Sequence, residues 1–309
     1  MISYKSYDSK EEWLELRRKL GIGGSDAGAV IGLNPYKSAY ALWAEKTGRV
    51  PEFEGNTRTA VGSYLEDFVA REWAAMTGKK VRRNNRIILN DMYPWAFADV
   101  DREVVGEKAI LEIKTTTSLP IMRKCRNGEF PESWYAQVVH YLAVTGAEKA
   151  YLAALVNCSE IKIFELERDE DEIDALMEAE EAFWLDNVKK DVPPAPDGAA
   201  SSTEALDAVF DAPSDDEVDI TPCSTDLATY DALSSQIKAL SSQKDELANK
   251  IKAYLGNASR GRSDCYKVSW AMEERTTFDR KAFAAANPGV DMTPYNKTSS
   301  SRVFRVRAI

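Results

Sequence analysis

The sequence predicts an α/β sandwich, in which helices flank a central mixed β-sheet. Three observations support this fold class. Helical segments precede three strand-like segments, and a further helix and two more strands follow them. In addition, 44% of the residues are hydrophobic, which is enough for a sizeable core.

The individual elements follow from capping signals and hydrophobic periodicity. Helices are expected where a capping residue or a proline precedes a periodic apolar face. These segments are 8–19, 38–47, 57–76, 131–145 and 169–190, and a short helix opens at Gly21-Ile-Gly-Gly-Ser25. Strands are expected where β-branched and aromatic residues cluster, with Gly106-Glu-Lys108 as a hairpin turn between two of them. These segments are 81–89, 94–105, 109–115, 149–155 and 161–166.

The chain is expected to have three parts. Residues 1–191 form the α/β core. Residues 192–224 are rich in Pro, Ala, Ser and Asp and are expected to be an acidic linker, with a short helix near 203–210. Residues 225–309 form a C-terminal appendage of a long helix, ending at Gly256, and a small region with strands at 265–271 and 302–307.

Composition and charge exclude several function classes. The net charge is −10, but residues 165–219 carry −17, which leaves +7 for the remainder and keeps a nucleic-acid partner open. With His140 as the single histidine, a multi-histidine metal site is excluded, and the four cysteines lack zinc spacing. The chain has no apolar run of membrane-spanning length and its first residues are polar, so we expect no membrane partner and a cytoplasmic location.

Asp101, Glu112 and Lys114 form the candidate catalytic centre. Alternate residues of a strand share a face, so Glu112 and Lys114 point the same way while Ile113 points into the opposite core. Asp101 lies across the hairpin, and its carboxylate is expected near Glu112. Two close carboxylates repel unless a cation lies between them, and oxygen ligands suit Mg²⁺ or Mn²⁺. Such an ion activates water and neutralises phosphate charge, and Lys114 can stabilise the charge that develops.

Further polar residues are expected around this centre. Glu66, on the helix before the sheet, is a candidate third carboxylate, and Asp99 shares a strand face with Asp101. Gln137 and Tyr141 lie four residues apart on one helical face, and both can hydrogen-bond water or phosphate. Each residue alone is more typical of a surface or a core edge. The whole set, on helix, strand, strand and helix, favours one shared site.

Two sets of motifs resemble known families. Asp101, Glu112-Ile-Lys114 and Gln137 resemble the PD-(D/E)XK nuclease signature, with its restriction-endonuclease-like core. Segments 21–27, 32–36, 98–102 and 137–146 are similar to YqaJ-type viral recombinases, the group that includes lambda exonuclease. The resemblance covers roughly residues 10–165. It implies Mg²⁺-dependent degradation of one strand of linear duplex DNA from a 5′ end.

The resemblance also implies roles for individual residues. Asp101, Glu112 and the backbone carbonyl of Ile113 match the metal ligands, and Lys114 matches the catalytic lysine. Glu66 matches a supporting glutamate, and Gln137 the motif that follows the core. The family often has glycine after this aspartate, where the chain has Arg102, and we expect that side chain to point away from Asp101.

A phosphate pocket and several partners follow from the same resemblance. Arg18 and Ser25 match the positions that hold the 5′-phosphate, and arginine forks and helix starts both favour anions. Basic clusters at 17–19, 79–86 and 123–126 fit a DNA path. The implied partners are double-stranded DNA with free ends, a phage-type single-strand annealing protein and further copies of the chain, as in a ring-shaped trimer. The implied setting is a bacterial host cell, with the gene in a phage or prophage.

Two alternatives stay open. One is a structure- or site-specific DNA endonuclease with the same metal core, and the other is a non-catalytic DNA-binding protein of this fold. The pair Arg18 and Ser25 favours an end-directed enzyme, and the intact acids with Lys114 favour an enzyme. Scattered cysteines disfavour an iron–sulfur nuclease. A glycosidase also pairs carboxylates, but Glu-x-Lys beside a phosphate pocket suits phosphate chemistry better.

Overall fold

The chain forms two compact units, Met1–Pro213 and Ser214–Ile309. The computed structural model describes residues 1–51, 53, 55–298 and 302–307. Within these ranges no helix is long and apolar enough to cross a membrane. The first unit contains the α/β core, and the second contains a long helix and a small two-stranded sheet.

The first unit is built from short strands and amphipathic helices. Its strands are β1 (Ile2–Lys5), β2 (Ile22–Gly23), β3 (Val81–Arg83), β4 (Ile87–Asn90), β5 (Ala96–Ala98), β6 (Arg102–Val104), β7 (Ala109–Thr116), β8 (Lys149–Val156) and β9 (Glu160–Glu167). Its helices are α1 (Lys10–Leu20), α2 (Gly24–Val30), α3 (Ala39–Lys46), α4 (Thr57–Thr77), α5 (Leu119–Asn127), α6 (Glu132–Thr145), α7 (Glu170–Ala182), which continues as a π-helix over Phe183–Lys189, and α8 (Ala200–Val209).

The second unit is simpler. Its elements are a 3₁₀ turn (Thr221–Cys223), α9 (Ser224–Leu255), the antiparallel pair β10 (Arg260–Arg262) and β11 (Lys267–Ser269), α10 (Arg280–Ala286) and a 3₁₀ turn (Thr293–Tyr295). The long helix is therefore confirmed, and the strand expected at 265–271 is shorter. Residues 302–307, expected as a strand, have no regular secondary structure.

The first unit contains two sheets. The larger has the strand order β3-β6-β7-β8-β9, in which β7 and β8 are parallel and all other neighbours are antiparallel. The smaller has the order β1-β4-β5-β2, in which β2 and β5 are parallel. The predicted mixed sheet with flanking helices is thus confirmed, but its strands form two sheets where one central sheet was expected.

Between β3 and β6 the chain passes from one sheet to the other twice, which corrects two predicted strands. The segment 81–89 divides into β3 and β4 around Asn84, whose side chain donates to Glu103 at 2.8 Å. The segment 94–105 divides into β5 and β6 around Asp99-Val-Asp101. Asn and Asp bond locally and so disfavour a continuous ladder. Asp101 consequently lies where the chain enters the larger sheet.

Strand β7 separates two cores. Leu111 and Ile113 pack with Trp73 of α4 on one face, and Ile110 packs with α6 on the other. This is the alternation that the strand period predicts. Glu112 therefore lies on the α6 side of the sheet, in contact with Gln137.

Helix α8 belongs to the first unit, which corrects part of the predicted linker at 192–224. The Ser202 hydroxyl donates to the Ser38 hydroxyl at 2.8 Å, and Ala205 is buried in the cluster that contains α3. The short helix expected near 203–210 is present, but as a packed element of the core. The boundary between the units follows Pro213.

His140 is a structural residue of the core. It is fully buried, with Nδ1 2.9 Å from the Glu180 carboxylate and Nε2 2.8 Å from the carbonyl oxygen of Phe97. Burial lowers the pKa of His140, but the charge of Glu180 and the hydrogen bonds to Glu180 and Phe97 together outweigh it, so that the net pKa is raised. The pair joins α6 to α7, and the Phe97 contact ties both to the smaller sheet.

Candidate active site

Asp101 and Glu112 meet across the β6–β7 hairpin. The register pairs Arg102 with Leu111, which places Asp101 and Glu112 at the next position of the ladder. The Asp101 Oδ2 atom accepts a hydrogen bond from the Ile113 backbone N–H at 2.7 Å. Glu112 is only 4% exposed. The expected approach of the two carboxylates is therefore present in the fold.

The two carboxylates disturb each other's ionisation. Burial raises the pKa of Glu112 to about 8, and the charge of Asp101 adds to this effect while Lys114 opposes it. Burial also raises the pKa of Asp101, against the opposing effects of Lys114 and the Ile113 N–H. Two acids packed together in this way retain a proton unless a cation compensates them.

One oxygen of Glu112 has no partner among the described residues. Oε1 accepts from the Gln137 amide at 2.9 Å and lies 2.8 Å from the Lys114 ammonium. Oε2 is buried, and no group in the described part of the chain forms a hydrogen bond with it. Such an orphaned buried acceptor is costly and needs an explanation, of which a cation is one. Oε2 therefore fits a cation ligand.

Gln137 and Tyr141 hold Glu112 from helix α6. The Gln137 amide donates both to Glu112 and, at 2.9 Å, to the Tyr141 hydroxyl. The Tyr141 hydroxyl donates in turn to the backbone carbonyl of Asp99 at 2.9 Å. The structure thus brings both helix residues to the site, but their polar atoms face protein groups.

Glu66 and Asp99 lie at the edge of the carboxylate pair. Partial burial raises the pKa of Glu66 to about 6, and the charge of Asp101 contributes to the same shift. Burial raises the pKa of Asp99, although a hydrogen bond from the Trp13 indole at 2.6 Å opposes this. Trp13 is a site residue that the sequence did not suggest, because its position in α1 indicated only an apolar face.

Arg102 turns back to the main chain of its neighbour. Its guanidinium donates to the backbone carbonyl of Asp101 at 2.6 Å and pairs with Asp67 of α4 at 2.6 Å. Its side chain is almost fully buried. Arg102 therefore stabilises the main chain at Asp101, whereas the Asp101 carboxylate accepts its hydrogen bond from the Ile113 backbone N–H.

The oxygen atoms at this site suit a divalent ion, and one of them belongs to the main chain. Over the described ranges of the chain, no three His, Cys, Asp or Glu side chains are gathered closely enough to hold a metal by themselves. Asp101, Oε2 of Glu112 and the Ile113 backbone carbonyl are all oxygen donors, which Mg²⁺ prefers. The residues present therefore fit such an ion.

The 5′-phosphate pocket predicted at Arg18 and Ser25 stays a prediction, and among the described residues it is Arg17 that contacts Ser25. The Arg17 guanidinium donates to the Ser25 hydroxyl at 2.9 Å and stacks over Trp13, 4.5 Å from the ring centroid. Adjacent helical residues differ by about 100° in direction, so Arg18 faces elsewhere. It lines a cleft of about 730 Å³ together with Lys19, Lys46, Thr47, Arg49, Trp184, Val188, Lys189 and Asp191.

The glycine turn before Ser25 serves close packing. A Cβ atom on Gly23 would lie 2.7 Å from the Phe97 ring, and one on Gly24 would lie 2.4 Å from the Tyr141 ring. Gly21 has φ +129° and meets the Trp95 carbonyl. These glycines therefore allow α2 to pack closely against the site. The sequence alone could not distinguish this packing role from a role in anion binding.

Most of the predicted basic path is paired with acids. Ion pairs join Arg82 to Glu103, Arg83 to Asp67, Lys79 to Glu107, Lys124 to Glu132 and Arg126 to Glu160. A cation that is paired with a carboxylate attracts a polyanion less than an unpaired cation does. In the cleft next to Arg18, Lys19, Lys46 and Arg49 are likewise paired, with Glu15, Asp26 and Asp191.

Comparison with known proteins fits this arrangement. The profile of the YqaJ-like viral recombinase domain matches residues 12–148, a range that contains the site from Trp13 to Tyr141. YqaJ of Bacillus subtilis (strain 168) is 38% identical over 310 residues, which cover 99% of this chain and 95% of that one.

Solved structures show the same fold. An alkaline exonuclease, LHK-Exo from Laribacter hongkongensis, superposes with a TM-score of 0.51 and 20% identity, covering 59% of this chain and 94% of that one. Its complex with dAMP gives a TM-score of 0.51 and 19% identity over the same shares. The predicted α/β fold, in which helices flank mixed β-sheet, is thereby confirmed. On sequence and fold together, the chain belongs to the YqaJ family of viral-recombinase-like proteins.

Proposed function

We propose that the protein is a metal-dependent 5′→3′ exonuclease that resects one strand of linear double-stranded DNA for phage-type recombination. The observation that carries this proposal is the orphaned Oε2 of buried Glu112, beside Asp101 and with Lys114 on the other oxygen. Membership of the viral-recombinase-like family and the likeness to an alkaline exonuclease support it.

Asp101, Glu112 and the Ile113 carbonyl would hold Mg²⁺, and Mn²⁺ is expected to substitute. The ion would neutralise charge on the scissile phosphate and activate water for hydrolysis. Glu66 and Asp99 add negative charge at the edge of this group, since both interact electrostatically with Asp101. Their role is to strengthen the attraction for a cation.

Lys114 would act on the phosphate. Its ammonium is fixed 2.8 Å from Glu112, toward the end of β7, and can donate to a phosphate oxygen or orient the attacking water. Gln137 occupies Oε1 of Glu112 and so reserves Oε2 for the ion. Tyr141 fixes Gln137 in turn.

The terminal 5′-phosphate would bind at Ser25 and Arg17. Ser25 is exposed on the first turn of α2, and Arg17 already donates to its hydroxyl. Because Arg17 also stacks on Trp13, which contacts Asp99, this pair is connected to the carboxylate group. Arg18, in the neighbouring basic cleft, would contact the DNA backbone without selecting for an end.

Digestion of end-labelled linear duplex tests the activity. We expect Mg²⁺-dependent release of nucleotides from 5′-phosphorylated ends, and loss of release with Asp101→Asn or Glu112→Gln at unchanged folding. Cleavage of closed circular duplex would instead favour the endonuclease alternative. Metal-independent DNA binding without cleavage would favour a non-catalytic binding protein.

A pair of arginine variants tests end recognition. Arg17→Ala is expected to slow digestion of 5′-phosphorylated ends far more than of 5′-hydroxyl ends. Arg18→Ala, one residue away on the same helix, is the matched control and is expected to slow both alike. If Arg17→Ala slowed digestion of the two substrates equally, Arg17 would be a general DNA contact and not part of an end-recognition pocket.

Two partners complete the proposal. A single-strand annealing protein of phage type would receive the strand that resection exposes, and several copies of the chain would act together. Stimulation of strand annealing by a co-encoded annealing protein, measured with and without this protein, would test the first. The family resemblance supports both partners.

A further inference from the structure

Helix α9 carries an apolar stripe that the described residues of its own unit leave open. The helix has 32 residues, and none of them is buried. Leu233, Ile237, Leu240, Leu247 and Ile251 are between 47% and 67% exposed. An apolar stripe of this length on a solvent-exposed helix is typical of an interaction surface.

The stripe has a heptad spacing. Steps of three and four residues alternate without a break along the positions Tyr230, Leu233, Ile237, Leu240, Lys244, Leu247, Ile251 and Tyr254. A 3.5-residue period stays on one face when helices wind around each other in a left-handed supercoil. A helix that packs on a globular core follows the 3.6-residue period instead. The pattern therefore indicates another helix as the partner.

The residue types in the stripe select the partner. In heptad notation, isoleucine occupies the a positions 237 and 251, and leucine occupies the d positions 233, 240 and 247. Among parallel coiled coils, isoleucine at a with leucine at d favours two strands over three or four. Lys244 is the one charged residue at an a position, and such a residue fixes register at a cost in stability. A lysine can reach solvent from a two-stranded seam more easily than from a larger bundle.

The flanking positions show no charge code for a different helix. The g positions are Gln236, Gln243 and Lys250, and the e positions 234, 241 and 248 are Ser, Ser and Ala. Partner choice between unlike helices relies on complementary charges at these positions. A nearly neutral flank instead permits pairing with an identical helix.

We infer that α9 forms a parallel, two-stranded coiled coil with α9 of a second copy of this chain. Among the described residues of its own unit, the stripe has one ring–ring contact, between Tyr230 at its N-terminal end and Phe304, with the centroids 5.8 Å apart. The stretch from Leu233 to Ile251 is left for the partner. The inference rests on α9 alone and does not depend on the proposed nuclease activity.

The first test is the mass of the full-length chain in solution. Leu233→Glu/Leu240→Glu places charges in the seam, whereas Ser235→Glu/Ser242→Glu places the same charges on the opposite face of the same helix. We expect the seam variant to weaken self-association by at least about a hundredfold, and the control to retain the parental mass by light scattering. A monomeric parent, or a seam variant that keeps the parental mass, would overturn the inference.

The second test reports register and does not rely on disruption. With the exposed Cys158, Cys223 and Cys265 changed to serine, Leu240→Cys puts one new thiol in the seam, and Ser242→Cys puts one outside it. A parallel, in-register pair brings the two thiols introduced at position 240 together, so mild oxidation should give a covalent dimer rapidly. Equal rates for the two variants would contradict a parallel seam, even if the chain self-associates.

Discussion

At the residue scale, Lys114 is the side chain whose contribution can be measured most directly. Its ammonium lies 2.8 Å from Glu112, and its side chain is 23% exposed. We expect Lys114→Ala to keep DNA and metal binding and to lose about 10²- to 10³-fold in single-turnover rate, since a positioned charge acts mainly on the transition state. Lys108→Ala, in the turn before the same strand, is the control. An unchanged rate for Lys114→Ala would remove it from the mechanism.

The ionisation of Glu112 gives a second prediction at this scale. Its pKa is raised from 4.5 to about 8 in the folded protein. Between these values the folded state binds more protons than the unfolded state, so the stability that this group contributes is present below its unfolded pKa and is lost as pH rises through its folded pKa. In EDTA, the unfolding free energy of the wild type relative to Glu112→Gln should therefore fall between about pH 5 and pH 9.

Urea denaturation at several pH values measures this difference. The matched control is Glu178→Gln, on the exposed face of α7, whose difference from the wild type should be nearly constant. Mg²⁺ should restore most of the lost stability at high pH, because a cation replaces the proton. A flat profile for Glu112→Gln would show that Glu112 is not buried beside a charged Asp101.

At the element scale, strand periodicity was the most reliable guide. The run Leu111-Glu-Ile-Lys114 alternates between two cores, and the period of two alone predicts which side chains share a face. Sequence could not show that the chain changes sheets at Asn84 and at Asp99-Val-Asp101, because each half-strand is too short to have a period. It also could not show that Arg17 is the arginine in contact with Ser25, since this contact depends on how α1 is rotated against α2.

The contact between α2 and α6 gives an element-scale prediction. A Cβ atom on Gly24 would lie 2.4 Å from the Tyr141 ring, and Tyr141 fixes Gln137, which holds Glu112. We expect Gly24→Ala to lower the unfolding free energy by about 1–3 kcal/mol and also to reduce nuclease activity. Gly198→Ala, where a Cβ atom would meet no described atom within 4 Å, is the control and should change neither. Unchanged urea midpoints for both would show that Tyr141 can move aside at no cost.

At the scale of the whole molecule, the acidic segment has two roles that its composition does not distinguish. Part of it pairs with groups of the core, since Glu180 pairs with His140 and Asp191 with Arg49. The remainder, from Asp211 to Asp219, is exposed around the boundary between the units. The composition of residues 192–224 predicted a linker, because composition records how many charged residues a segment has but not which of them form ion pairs. Packing of α8 against α3 is a long-range contact that a local signal cannot reveal.

This difference in boundary can be tested with two fragments. The fragment 1–213 keeps α8, in which Ala205 is buried and Leu206 and Val209 pack against the cluster around Tyr40 and Trp43. The fragment 1–191, which ends where the sequence alone places the core boundary, removes that cover. Exposure of these apolar side chains is expected to cost about 2–5 kcal/mol of unfolding free energy.

Denaturation and activity should therefore separate the two fragments. We expect 1–213 to unfold cooperatively and to retain Mg²⁺-dependent cleavage of linear duplex, because the carboxylates, Lys114 and the α6 residues all lie within it. We expect 1–191 to unfold at a lower urea concentration, with cleavage falling in step with its folded fraction. The second unit, with α9, is absent from both fragments, so both should lose self-association alike. If 1–191 proves as stable as 1–213, the contacts of α8 with Ser38 and with the cluster around Ala205 do not support the core, and the boundary returns to residue 191.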